Sequence, residues 1–189
     1  INDINNSTDA HIITIEDPIE FVYENNKSII DQREVRAHTE SFQNALRAAL
    51  REDPDVILVG EMRDLETISL AITAAETGHL VFATLHTSGA AKTIDRIINV
   101  FPGDRQAQVR SELSEALRAV VWKKLLKKKD GSGRVSAHEI FLVNTAAANL
   151  IRENKTHQIA SIIETGAQTG MQTMKHEIQS LLDQGLITE

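Results

Sequence analysis

The sequence contains no cysteine and no long apolar run. The absence of Cys among 189 residues excludes disulfide bridges, cysteine-based zinc sites and thiol chemistry. No apolar stretch approaches the length that spans a bilayer, and no signal peptide precedes the first predicted strand. The formal net charge of −7 argues against bulk affinity for nucleic acid. We therefore expect a protein of the cytoplasm, or of the cytoplasmic face of a membrane, with no nucleic-acid partner.

The sequence also lacks a phosphate-binding P-loop. None of its nine glycines is followed by the Lys-Ser or Lys-Thr pair that the G-x-x-x-x-G-K-[ST] motif requires. The backbone cradle that holds the β- and γ-phosphates of a nucleotide therefore cannot be built from these residues. Either the chemistry is not nucleotide hydrolysis, or the cradle lies upstream of the first residue. Because that residue is Ile rather than Met, we expect the second.

A short apolar segment followed by acids is the centre of the predicted fold. Residues 56–59 are apolar without alternation, which is typical of a strand buried on both faces in the middle of a parallel sheet. Glu61 and Asp64 come just after it. Ligands of open α/β sheets bind at the carboxyl ends of the strands, so a site is expected at these carboxylates. The alternative is a solvated turn in which Asp64 is a helix N-cap.

A second predicted strand also ends in acids. The apolar segment 11–15 is followed by Glu16, Asp17, Pro18 and Glu20. Because the residue before a proline is disfavoured in a helix, Pro18 is expected to hold these carboxylates on a bent loop. The alternative interpretation is an acidic turn on the surface.

Histidines flank a third apolar segment. Residues 79–84 are predicted to form another buried strand, which begins at His79 and ends at Thr84, with His86 just beyond. A lone histidine is usually structural. His86, however, is expected to share one edge of the sheet with the acids of the other two strands.

The remaining segments alternate between helical and strand periodicity. Helices are predicted at 41–50, 64–76, 90–99 and 104–118, a small hairpin or edge strand at 27–37, an antiparallel strand pair at 119–126 and 134–142, and three short helices at 146–153, 158–165 and 171–183. The predicted fold class is therefore α/β, with a mainly parallel, doubly wound sheet in three layers plus an antiparallel hairpin. Residues 1–143 are expected to form this core, and residues 144–189 a small helical subdomain.

Together, the three strand ends suit phosphoryl transfer. Carboxylates can support Mg²⁺ and a polarised water, and this reaction needs mainly positioning and charge neutralisation. In this hypothesis Glu61 orients or deprotonates the attacking water, an acid of the 16–20 loop supports the metal shell, and His86 contacts the γ-phosphate. Arg63 and Arg96 are expected to offer positive charge to the same or a neighbouring site.

These segments resemble the sequence boxes of the secretion-ATPase superfamily of RecA-like hexamers. Residues 14–21 resemble its Asp box, residues 57–64 its Walker B segment and residues 77–87 its His box. Residues 147–153 resemble the Ala-Ile-Arg-Asn-Leu-Ile-Arg-Glu motif of type IV pilus retraction motors, with alanines in place of its opening Ile and Arg. Pilus assembly and type II secretion ATPases carry a tetracysteine zinc element, so the absence of Cys favours the retraction branch, the PilT family, or the type IVB secretion ATPases.

The resemblance implies a RecA-like P-loop NTPase core that works as a homo-hexamer with ATP and Mg²⁺. It makes Glu61 the catalytic carboxylate, Glu20 the Asp-box acid near the water and metal, and His79 and His86 a link between the γ-phosphate region and neighbouring subunits. The nucleotide and Mg²⁺ region then comprises Glu16, Asp17, Arg63, Asp64, His79, Thr84 and His86. The effector motif contributes Leu150, Ile151, Arg152 and Glu153.

The implied function is a motor ATPase that couples hydrolysis to pilus retraction and twitching motility. Such a protein is expected to associate peripherally with the inner membrane and to contact the platform protein of the pilus. Its Walker A lysine would lie before the first residue. A type II or type IVB secretion ATPase is one alternative, and an interaction or regulatory module without a P-loop is another. The presence of all three acidic and histidine boxes argues against the second alternative.

Overall fold

A computed structural model describes residues 1–188. Residues Ile1–Leu85 form one compact unit, and a second compact unit begins at His86. The boundary between the two units falls after Leu85, whereas the sequence predicted a boundary after residue 143. The expected division into an ATPase core of residues 1–143 and a helical subdomain of residues 144–189 stays a prediction. No helix within the described residues is long and apolar enough to cross a membrane.

The first unit is a parallel sheet with helices on both faces. Its elements are α1 (Asn2–Ser7), β1 (His11–Glu16), β2 (Ile29–Glu34), α2 (Phe42–Ala49), β3 (Val56–Val59), α3 (Leu65–Glu76) and β4 (Leu80–Ala83). The four strands pair in the order β2-β1-β3-β4, and all the pairings are parallel. The predicted central position of β3 is therefore confirmed.

The two central strands are buried on both faces, because successive side chains point to opposite faces and a cluster of apolar side chains covers each face. Ile13 and Ile15 of β1 lie in the cluster formed with α2 and α3, whereas Ile12 lies in the cluster that Ile4 of α1 joins on the other face. Leu46 of α2 is fully buried in the first cluster. This arrangement explains why β1 and β3 read as continuous apolar runs rather than alternating ones.

One strand differs from its prediction, and the structure decides between two alternatives for another. The strand at 79–84 was expected to be buried, but β4 lies at the edge of the sheet within the described residues, where Leu80 and Phe82 are 44% and 39% exposed. A strand with a neighbour on one side only leaves its outer flank uncovered. The 27–37 segment forms the edge strand β2, parallel to β1, and the small hairpin that was its alternative does not form.

The second unit combines helices with an antiparallel hairpin. Its elements are α4 (Ala90–Asn99), α5 (Gln106–Ala116), β5 (Ala119–Lys127), β6 (Arg134–Leu142), α6 (Thr145–Arg152), α7 (Ile159–Thr165) and α8 (Met174–Asp183), with 3-10 turns at Thr156–Gln158 and Ala167–Thr169. The predicted antiparallel pairing of β5 with β6 is confirmed. One cluster buries Ala137 of β6 together with Met174 and Leu181 of α8, so the last helix packs on the hairpin.

Candidate catalytic site

The carboxyl ends of three parallel strands bring several predicted site residues together. The register pairs Ile15, Val59 and Ala83, so the residues that follow them, Glu16, Gly60 and Thr84, lie side by side at the carboxyl ends of β1, β3 and β4. Glu61 is the next residue after Gly60. The Thr84 hydroxyl donates to the Gly60 carbonyl, and the Met62 amide donates to the Thr84 carbonyl at 3.0 Å. The two hydrogen bonds with Thr84, at the end of β4, therefore hold the turn that carries Glu61 in place.

At the carboxyl end of β3, the backbone of β1 comes so close to residue 60 that only glycine fits without a shift. A Cβ atom at residue 60 would lie 3.0 Å from the Ile15 carbonyl oxygen and 3.2 Å from the Cα atom of Glu16. The Gly60 amide also donates to that carbonyl at 2.7 Å. Glycine thus lets the strand that ends in Glu16 and the strand that precedes Glu61 meet without a side chain between them.

Glu61 is paired with Arg63, two residues further along the chain. Nη2 of Arg63 lies 2.5 Å from Oε2 of Glu61, and the side chains of Glu61 and Arg63 are 20% and 75% exposed. The hydrogen bond to Glu61 and the charge of that carboxylate raise the pKa of Arg63, and the charge of Asp17 adds to this effect. Since the guanidinium is largely in solvent, the pair contributes little to the stability of the fold.

The acids after β1 have different surroundings. Glu16 is half-buried, and its Oε1 accepts hydrogen bonds from the Thr14 hydroxyl at 2.6 Å and from Nε2 of Gln32 at 3.2 Å. Asp17 and Glu20 are exposed on the loop that leads to β2. The structure therefore orients one carboxylate within the sheet and presents two others to solvent.

Asp64 caps α3, as the alternative interpretation of this segment predicted. Its carboxylate accepts from the Thr67 amide at 2.9 Å and from the Thr67 hydroxyl at 2.7 Å. Burial opposes ionisation, but hydrogen bonds from Thr67 and from Gln43 outweigh it and lower the pKa of Asp64. Both oxygens are therefore engaged at the helix terminus, and a nucleotide contact by Asp64 stays a prediction.

The two histidines of the predicted His box are not together at this edge. His79 precedes β4, so it lies at the amino end of the strand, opposite the end that carries Thr84. Its Nδ1 donates to the Ala74 carbonyl at 2.9 Å, which ties it to the end of α3. His86 belongs to the second unit, so its expected position near the acids stays a prediction.

The acids fit a magnesium ion that arrives with its nucleotide. Among residues 1–188, no three His, Asp or Glu side chains are grouped so that they could hold a metal by themselves. Mg²⁺ commonly keeps several waters and is held by one or two carboxylates together with substrate phosphates. Glu61, with Glu16 beside its turn, can supply that contribution, and such an ion would neutralise phosphate charge during transfer.

The predicted effector motif lies on α6. Asn144 caps this helix by accepting from the Ala147 amide at 2.9 Å. Ile151 is fully buried and Leu150 is half-buried, so these two residues hold the helix in place. The outward part of the motif is formed by the side chains of Arg152 and Glu153, which are 44% and 56% exposed.

The surface next to Arg152 is concave and polar. Arg152 lies 3.7 Å from Oε1 of Glu115 and donates to Oδ1 of Asn149 at 3.0 Å. A pocket of about 480 Å³ lies between α5 and α6, and its lining includes Arg118 as well as these three residues. The end of the motif therefore borders a recess that a partner side chain can enter.

Sequence reasoning missed Thr14 and Gln32, the two residues that orient Glu16. Thr14 is the one polar residue within the apolar run of β1, and it is fully buried. A buried hydroxyl needs a hydrogen-bond partner, and a carboxylate two residues along lies on the same face of the strand. That signal could have identified Thr14. Gln32 depends on the register of β2 against β1, which no local pattern reveals.

Comparison with known proteins gives consistent matches over the chain. The profile of the family described as Type II/IV secretion system protein matches residues 1–188. A twitching motility protein of Neisseria gonorrhoeae is 65% identical over 187 residues, which are 99% of this chain and 50% of that protein. The type IV pilus retractation ATPase PilT of Pseudomonas aeruginosa is 59% identical over 185 residues, covering 98% of this chain and 54% of PilT.

A solved structure agrees with the fold. The crystal structure of a pilus retraction motor PilT with bound ADP matches with a TM-score of 0.91 and 55% sequence identity, over 99% of this chain and 52% of that one. The predicted α/β fold with a mainly parallel sheet and an antiparallel hairpin is thereby confirmed. The chain spans about half the length of the relatives that it matches. Since the family profile extends over residues 1–188, the chain belongs to the Type II/IV secretion system protein family.

Proposed function

We propose that the intact protein is a Mg²⁺-dependent motor ATPase that drives type IV pilus retraction. The observation that carries this proposal is the position of Glu61, directly beyond the carboxyl end of the central strand and beside Glu16 and Thr84. Identities of 65% to a twitching motility protein and 59% to PilT support the assignment to pilus retraction. The match to a PilT structure that contains ADP supports the assignment of the nucleotide.

In the proposed reaction, the carboxylate of Glu61 orients the attacking water and accepts its proton. Glu20 supports the water and the metal from the acidic loop. A Mg²⁺ ion bound with the nucleotide would neutralise charge on the phosphates, and the phosphate cradle, which residues 1–189 do not contain, would have to come from another part of the intact protein.

The proposed assembly is a homo-hexamer, peripheral to the cytoplasmic membrane and in contact with the inner-membrane platform of the pilus. His79 and His86 are proposed to link the γ-phosphate region to neighbouring subunits from opposite ends of β4, since His79 precedes that strand and His86 follows it. Arg152 and Glu153 carry the effector contact, because they are the exposed end of a motif whose apolar residues are buried.

Two measurements test this function. Residues 1–189 alone are expected to hydrolyse no ATP, because they contain no phosphate cradle; Mg²⁺-dependent turnover by this segment that Glu61→Gln abolishes would contradict the account. The intact protein is expected to restore twitching to a strain that lacks its retraction motor. Arg152→Ala should keep ATP hydrolysis and lose twitching, whereas Lys175→Ala, an exposed cation on α8, should keep both.

A further inference from the structure

The loop that carries Glu20 is held by side chains of the edge strand β2. Oε1 of Gln32 accepts from the Tyr23 amide at 2.8 Å, and Nε2 of Gln32 donates to the Phe21 carbonyl at 2.8 Å. The same Nε2 donates to the Glu16 carboxylate at 3.2 Å. One partner is a donor and two are acceptors, so all three contacts agree on a single orientation of the amide.

A second β2 residue holds the other side of Glu20. Oε2 of Glu34 accepts from the Ile19 amide at 2.9 Å. Gln32 and Glu34 are two residues apart, so both side chains leave the same face of the strand. The backbone of Glu20 therefore lies between two anchored neighbours, with the Ile19 amide fixed on one side and the Phe21 carbonyl on the other.

Apolar burial of Phe21 and Val22 does not hold the segment next to Glu20 in place. Phe21 is 71% exposed and Val22 is 85% exposed, so their side chains gain little from packing. The side chains of Gln32 and Glu34 instead hydrogen-bond to backbone amides and a carbonyl of the loop, and so satisfy groups that a neighbouring strand would otherwise pair. Gln32 is also the residue that joins the loop to Glu16 at the carboxyl end of β1.

We propose that Gln32 is a positioning residue that sets the location of the Glu20 carboxylate for ATP hydrolysis. This inference rests on the proposed function, because it needs Glu20 to act in that reaction. Gln32 acts through other groups, by its contacts with Glu16 and with the backbone of Phe21 and Tyr23. Only a side chain with both a donor and an acceptor at this length makes all three contacts, so the conservative replacements each break a defined part of the arrangement.

The test is a double-mutant cycle on ATP turnover by the intact protein. Gln32→Met keeps the length of the side chain and removes its hydrogen bonds, and should lower kcat by about 10-fold to 100-fold with nucleotide affinity retained. Gln32→Glu keeps the acceptor for Tyr23 but repels Glu16, and should be slower still. Gln179→Met is the matched control, since Gln179 is exposed on α8 and donates only to Asp183; its turnover should equal that of the wild type.

The cycle separates positioning from a general structural role. In a Glu20→Gln background, Gln32→Met should change turnover by less than about twofold, because the group it positions is already disabled. An equal fold-loss in both backgrounds would overturn the proposal, as would unchanged turnover in Gln32→Met. If Gln32→Met fails to fold, the same comparison is made with Gln32→Glu.

The outcomes also distinguish this inference from the proposed function. Slow turnover in Glu20→Gln combined with normal turnover in Gln32→Met would overturn only the positioning role. Normal turnover in Glu20→Gln would instead remove Glu20 from the proposed reaction. Absence of ATP hydrolysis by the wild-type intact protein would refute the motor ATPase itself.

Discussion

Replacing Gly60 by alanine should destabilise the first unit by a definable amount. The added Cβ would lie 3.0 Å from the Ile15 carbonyl oxygen and 3.2 Å from the Glu16 Cα atom. Both atoms belong to the backbone of the central strand β1, so they cannot rotate away as the end of a side chain could. A shift of a few tenths of an ångström is required, and it strains the 2.7 Å hydrogen bond from Gly60 to Ile15.

Two opposing terms set the size of the effect. Overpacking a well-packed interior costs about 1–3 kcal/mol, whereas exchanging Gly for Ala lowers the entropy of the unfolded chain and returns about 0.4–1 kcal/mol. The expected net loss in the free energy of unfolding is therefore about 1–2 kcal/mol. For a chain of this length, that corresponds to a fall in Tm of about 2–8 °C.

The assay is equilibrium urea unfolding, followed by far-ultraviolet circular dichroism, with Tm as a second measure. Gly103→Ala is the matched control, because its Cβ would meet nothing within 4 Å and its φ is outside the left-handed region. It should be neutral or slightly stabilising. Equal stability of Gly60→Ala and Gly103→Ala would refute the argument that close approach of β1 requires a glycine.

Variants at two further residues test how helix termini are stabilised. Asp64→Ala removes the acceptor for the Thr67 amide and should lower the free energy of unfolding by about 1 kcal/mol, while Asp64→Asn should lose less. Because the folded pKa of Asp64 is lowered, its carboxylate stabilises the fold above the unfolded value of about 3.9, and this contribution is lost as pH falls through the folded pKa. As the pH is lowered, the free energy of unfolding should therefore fall less steeply in Asp64→Asn than in the wild type. Identical pH profiles would contradict the stabilising role of the Asp64 carboxylate. Glu139→Ala removes the acceptor 2.9 Å from the Ala90 amide at the start of α4 and should cost about 1 kcal/mol in urea unfolding, whereas an equal loss in Glu139→Gln would show that this hydrogen bond is not responsible.

Features governed by local sequence were predicted well. The unbroken apolar run at Val56–Val59 predicted a central strand, since only a strand covered on both faces favours apolar side chains in both directions. The cap at Asp64 was predicted as an alternative, because an N-cap depends on a hydrogen bond to an amide three residues away. The acids after β1 and β3 were expected at one edge, and parallel pairing places Glu16 beside the turn that carries Glu61.

Features governed by distant neighbours were not predictable in the same way. Leu80 and Phe82 suggested burial, but their exposure depends on which strands pair with β4 rather than on their own hydropathy. The contacts of Gln32 require β2 to pair with β1 in one register, and a shift by one residue would turn this side chain to the other face. By contrast, the position of His79 before β4 and of Thr84 after it was predicted, because both follow from the direction of the strand alone.

The most direct test of the account is nucleotide binding and hydrolysis by the intact protein with Glu61→Gln. The change keeps the size of the side chain and a hydrogen-bonding group, but removes the charge that pairs with Arg63 and that we propose activates the water. We predict that ATP binding stays within about twofold of the wild type, while kcat falls by at least about 100-fold. Turnover that equals the wild-type rate would contradict the assignment of Glu61 as the catalytic carboxylate, and with it the central claim about this site.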